Sequence, residues 1–173
     1  QPLSERRDAL PLFASVAGAI AGPELQQKLE AAAGLEDVQA LYDAGYALYE
    51  EQLYGIAAAL LDHANSEAPG HAVLVIELVA NLEMLLEHRT AVDRLQASGL
   101  VPSNGQICYH LAFHQVMCGE MAEAGCTLGI LRALVGDDAQ LTFMANALGA
   151  IVERHERLAG VTALDARDLA GWH

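Results

Sequence analysis

Between residues 41 and 69, apolar positions recur every three or four residues in two blocks, Leu41–Glu50 and Tyr54–Ser66. That spacing puts the apolar side chains on one face of a helix. Pro69-Gly70 closes the second block, so the stretch predicts a helical hairpin. Small residues stand where the two helices must cross. Gly45 follows Leu41 and Ala44 on the first helix, and Ala57, Leu61 and Ala64 line one face of the second.

Two further copies follow. Val75, Leu78, Leu82, Ala91 and Leu95 predict a hairpin over His71–Leu86 and Arg89–Ser98, although Val79 and Leu86 stand where glycines are expected. In the third copy, Tyr109-His-Leu111-Ala112 opens a helix that Gly119 ends. Met121, Ala124, Leu128 and Leu131 make its partner, and Gly136 takes the place of the closing proline. The period of about 34 residues, with a large apolar residue followed by small pairs, is the tetratricopeptide spacing. One such hairpin cannot bury its own apolar face, so the copies need one another. No strand pattern competes, and the fold class is read as all-α.

The flanking segments complete the layout. Leu12/Phe13, Val16 and Ile20 recur at helical spacing before Gly22-Pro23, and Glu24–Ala33 makes a short helix that Gly34 stops. Glu36 and Asp37 sit where acids favour a helix N-terminus. Ser103 and Gln106 resemble a capping box, and Asp137-Asp-Ala-Gln140 repeats that logic. After it, Leu141, Met144, Leu148, Ile151, His155 and Leu158 form a stripe suited to covering the end of a repeat stack, and Gly160 is read as its stop. The expected domains are an N-terminal helical arm over 1–36, three repeats over 37–138, a C-terminal capping helix over 139–160, and a tail over 161–173.

Composition narrows the functions. Of 173 residues, 53% are hydrophobic and only 18% charged, and the formal net charge is −14. So acidic a chain, with Lys28 its single lysine, argues against nucleic acid and against anionic membrane surfaces. No apolar run approaches the roughly 20 residues that span a bilayer. Arg6-Arg7 before DALPLFASVAGAIAG has the outline of a signal peptide, but Asp8 and Pro11 interrupt it, and an oligomerisation helix is the better reading. Cys108, Cys118 and Cys126 form no C-x-x-C pair and read as reduced thiols in or near the core.

Candidate chemistry is sparse. His110 and His114 lie four apart on one helix, a spacing that could place two imidazoles together. Leu111 stands where a zinc protease needs Glu, and no third ligand has motif spacing, so they read as surface or groove histidines. There is no phosphate loop and no nucleophile motif. An enzyme is not expected, nor a cofactor or metal.

What remains is a surface. In stacked hairpins of this type the first helix of each pair lines the concave face. The inward positions are then Tyr42, Tyr46 and Tyr49, next Ile76, Ala80 and Glu83, and last Tyr109, Phe113 and Val116. Four of the five tyrosines fall on this set. Tyrosine combines apolar area with a hydroxyl, which suits an extended peptide.

The N-terminal amphipathic helix, the segment Leu35-Glu-Asp-Val-Gln-Ala-Leu-Tyr42, and the runs Tyr109-His-Leu-Ala and Gly119-Glu-Met-Ala-Glu-Ala124 together resemble the class II chaperones of bacterial type III secretion, over residues 10–135. The resemblance implies a cytoplasmic, non-enzymatic chaperone tied to virulence. It would hold a proline- and leucine-bearing segment of a translocator in the groove and keep it soluble before secretion. It also implies homodimerisation through Phe13, Val16 and Ile20. The sequence departs from the family in the middle repeat, where the glycines are missing and Glu77 and Glu83 add charge. Alternatives are a chaperone of another secretion-system subunit, or a repeat scaffold or regulatory adaptor. An adaptor for the acidic tails of heat-shock chaperones needs Lys and Arg in the groove, and the inward positions have none.

Overall fold

Pro23 occupies the first turn of a helix, where its missing N–H costs nothing. The computed structural model describes residues 22–32 and 37–170, with positions 5 and 19, and side chains as far as residue 159. Phe13, Val16 and Ile20, and the stop expected at Gly34, lie outside the described residues. Among those described there are eight helices and no strand: α1 (Pro23–Ala32), α2 (Val38–Glu50), α3 (Tyr54–Glu67), α4 (Ala72–Met84), α5 (His88–Ala97), α6 (Gly105–Met117), α7 (Met121–Leu134) and α8 (Ala139–Ala170). The all-α helical-repeat class expected from the periodicity is the one observed. None of these helices is long and apolar enough to cross a membrane.

The chain divides between Val101 and Pro102 into two compact units. Two of the expected hairpins, α2–α3 and α4–α5, lie in the first unit, and the third, α6–α7, lies with α8 in the second. In the first unit each helix packs on the next from α1 to α5, and α2 also meets α4. In the second, α6 packs on α7, and α8 covers both.

Small residues set the helix spacing in the first unit. Ala57, Ala58, Ala59 and Ala64 of α3 are buried, as are Ala44 and Gly45 of α2. A Cβ built on Gly45 would stand 2.9 Å from both methyl carbons of Leu61. The two helices therefore pack so closely here that any side chain at this position has to displace Leu61.

All three hairpins turn in the same way. At the end of α2 the Gln52 N–H donates to the Tyr49 carbonyl and the Leu53 N–H to the Leu48 carbonyl, each at 2.9 Å. The pairs Leu86–Glu83 and Glu87–Leu82 repeat this after α4, and Gly119–Val116 and Glu120–Gln115 repeat it after α6. This is the Schellman closure, and it requires a left-handed residue after the helix. Gln52 (φ 60°), Leu86 (φ 58°) and Gly119 (φ 78°) supply it, spaced by about one 34-residue period.

Leu86 is an unfavourable choice, since a left-handed L-residue costs roughly 1–2 kcal/mol. Its side chain is 77% exposed and holds little in place. Leu86→Gly is therefore expected to stabilise the first unit by about 0.5–1 kcal/mol after the extra backbone entropy of glycine is subtracted. A higher denaturant midpoint by circular dichroism is the expected result. A lower one would mean that the leucine side chain makes a contact worth more than the strain.

Helix starts differ by one residue from the sequence reading. Asn104, not Ser103, caps α6, its side-chain oxygen accepting from the Ile107 N–H at 3.1 Å. Asp138, not Asp137, caps α8, accepting from Leu141 N–H at 2.9 Å. In both cases the cap lies three residues before the donor, the geometry that satisfies an unpaired first-turn N–H. Asp37 caps α2 by accepting from Gln39 and Ala40.

Two readings of α8 need correction. The helix does not stop at Gly160 but continues to Ala170. A single glycine costs about 1 kcal/mol in a helix and does not end it without a left-handed turn. Nor is the buried stripe the expected one. Leu141, Ala145, Leu148 and Val152 are buried, while Ile151 and Leu158 are exposed. The expected His155 is exposed too, and Met144 is half-buried. Ala145 lets α8 approach the hairpin closely, a contribution that apolar bulk alone does not signal.

Candidate functional site

The expected inward residues fall on α2 and α4 in the first unit and on α6 in the second. On α2, Tyr42 and Tyr46 stack with ring centroids 6.1 Å apart. Tyr46 is 43% exposed and Tyr42 half-buried. Tyr49 is half-buried and meets Tyr54, the first residue of α3, edge to face at 5.2 Å.

On α4, Ile76, Ala80 and Glu83 are half-buried. Two exposed residues that the sequence reading passed over share their surface. Val73 and Met84 are about half exposed and, with Glu77 and Ala80, follow a four-three-four spacing along one face. That spacing is visible in the sequence.

Glu77 is the unexpected member. It is only 9% exposed, and among the described residues its carboxylate has no ion pair or hydrogen bond. Burial pushes its carboxyl above the ordinary value. The Tyr46 hydroxyl is also raised, first by a hydrogen bond with Glu50, next by the Glu50 charge, and in smaller part by Glu77 across the α2–α4 contact.

Because the folded-state pKa of Glu77 is raised, folding favours its protonated form. The penalty is present above the folded pKa and disappears as pH falls below the unfolded value near 4.5. Glu77→Gln is therefore expected to stabilise the first unit at pH 7, by about 1 kcal/mol, and to make no difference near pH 3.5. Urea titrations at the two pH values measure this; an equal gain at both would mean that charge is not the cause.

In the second unit, Tyr109 and Phe113 of α6 stack at 6.4 Å, and both are half-buried, as is Val116. Tyr109 and Phe113 occupy the same repeat positions as Tyr42 and Tyr46, two periods on. Ile76 and Ala80 are the matching pair between them. His110 is half-buried, and burial holds its imidazole below the ordinary value. His114 is fully buried, which corrects its reading as a surface or groove histidine. Its ring stacks with His110 and meets Phe113 edge to face. Cys108 is buried and donates to the Thr127 carbonyl at 3.3 Å, and its thiol is raised by burial. Cys118 is half-buried, but Cys126 is exposed and not part of the core.

A cavity of about 180 Å³ lies in the first unit, away from the tyrosines, lined in part by Asp62, Asn65, Val75, Leu78 and Arg94. It surrounds a buried ion pair. Arg94 Nε sits 2.7 Å from one oxygen of Asp62, and its terminal nitrogen donates to the other at 3.3 Å. This pair ties α3 to α5, the second helices of consecutive hairpins, and it reads as a structural bond.

The chain matches no family model and no curated relative.

Proposed function

We propose that this protein is a non-enzymatic chaperone that holds an extended segment of a type III secretion translocator on the inner faces of its first helices, keeping it soluble in the bacterial cytoplasm before export. The observation that carries the reading is the recurrence of one stacked aromatic pair, Tyr42–Tyr46 and Tyr109–Phe113, at matching repeat positions in both units. Stacked, partly exposed rings offer flat apolar area at low entropic cost, which is what an extended peptide with spaced prolines and leucines uses. The resemblance of the repeat runs to class II secretion chaperones supplies the client. Self-association through Phe13, Val16 and Ile20 belongs to the same proposal.

A repeat scaffold or adaptor is the second reading. Its heat-shock-tail version is disfavoured because α2, α4 and α6 contain no Lys or Arg to clamp a carboxylate.

Co-expression with candidate translocators, each with or without its proline–leucine segment, tests the proposal. A soluble complex that depends on the segment is the expected result. Tyr46→Ala and Phe113→Glu should each lower client binding by tenfold or more with helical content unchanged. Failure to recover a complex with any translocator sinks the chaperone reading and leaves the scaffold.

A further inference from the structure

We propose that the face between α2 and α4 seats a lysine or arginine side chain of the bound segment, its cationic head placed between the Tyr46 ring and the Glu77 carboxylate. This rests on the peptide-binding reading above and specifies the chemistry of one partner residue.

Three observations converge. Glu77 is nine-tenths buried, yet no cation or hydrogen-bond donor of the described chain meets it. A buried carboxylate is normally paired, because removing its hydration is costly. The partner cation is thus the group this position lacks. Secondly, Tyr46 lies on α2, which packs against the α4 that carries Glu77, and its ring is partly exposed and stacked on Tyr42. A cation against a tyrosine face gains from the ring quadrupole, and its alkyl stem can lie along Val73 and Ala80.

Thirdly, the charge around the position has one sign. Asp43 and Glu50 on α2 and Glu83 on α4 accompany Glu77, and neither helix carries a Lys or Arg. The described cations of the first unit are engaged elsewhere. Lys28 pairs with Glu24 on α1, Arg94 with Asp62, and Arg89 has an interaction of its own. A neutral proline–leucine segment would leave the buried charge uncompensated, whereas a basic residue in that segment neutralises it.

The test is selection of a randomised dodecapeptide library on the full-length chain, followed by titration of a selected peptide. Lys or Arg should be enriched at one position. Glu77→Gln should weaken the selected peptide about tenfold, as loss of a charged hydrogen bond does. Norleucine in place of the peptide's basic residue should weaken it equally, and the two changes together should cost no more than either alone. Asp93→Asn, an exposed acid on α5, should leave the affinity unchanged, which separates this site from general attraction to an acidic protein. Selected peptides without an enriched cation, or with affinity indifferent to Glu77→Gln, would overturn this inference alone. Recovery of no binding peptide would overturn the groove reading together with it.

Discussion

Arg94→Met is expected to cost the first unit about 3–5 kcal/mol, the penalty for breaking a buried ion pair by removing one partner. Asp62 is 2% exposed and pairs with Arg94, whose side chain is 38% exposed. Methionine keeps the apolar stem and removes the charge, so the loss reports on electrostatics more than on packing. The reverse change should be milder. In Asp62→Asn the guanidinium can turn to solvent, and about 1–2 kcal/mol is expected. Denaturant titrations at pH 7 check both values. Equal losses from the two substitutions would mean that the pair is hydrated and that its burial is not what makes it matter. Since whole domains are stable by only about 5–15 kcal/mol, Arg94→Met is the change best placed to unfold this unit.

Gly45→Val is the second large effect, with a loss of about 3 kcal/mol expected from overpacking. The first added carbon already stands 2.9 Å from both Leu61 methyls, and Leu61 is fully buried. Gly45→Ala should be nearly neutral, because the gain of about 1 kcal/mol in helix propensity offsets a smaller displacement of Leu61. The decisive measurement is the double substitution. Leu61→Ala alone should cost about 2–5 kcal/mol through its cavity, but combined with Gly45→Val the total should fall well below the sum of the two. Simple additivity would show that the valine is accommodated by helix separation and not by a clash with Leu61.

Gly45 also shows which parts of the fold were legible in the sequence. A small residue within a helical apolar stripe has few explanations other than close approach, and the structure places Gly45 against Leu61. Helix boundaries were legible for the same kind of local reason, with Pro23, Pro69 and Gly119 all at element ends. Other features depend on what lies across from a residue. Leu86 takes a left-handed conformation because the turn geometry imposes it, and nothing in the leucine announces this. Ala145 and Val152 bury on α8 in place of Ile151 and Leu158, which requires knowing the approach of the hairpin. Glu77 was legible as added charge in the middle repeat, but its burial to 9% exposure follows from how α4 packs. Of the expected peptide-binding residues, Tyr42 and Tyr46 form a stacked, partly open pair, and the ring contact of Tyr49 with Tyr54 depends on the turn into α3, which spacing does not reveal.

The order in which the helices pack has a bearing on how the chain is made. Every packed pair joins helices that are adjacent or next but one along the sequence. Chains with contacts this local fold in microseconds to milliseconds. Ribosomes add about 5–20 residues per second, so a 34-residue repeat takes roughly two seconds or more to emerge. Hairpin α2–α3 therefore has time to close long before α4 and α5 are synthesised, and these two helices meet a preformed surface on which to assemble.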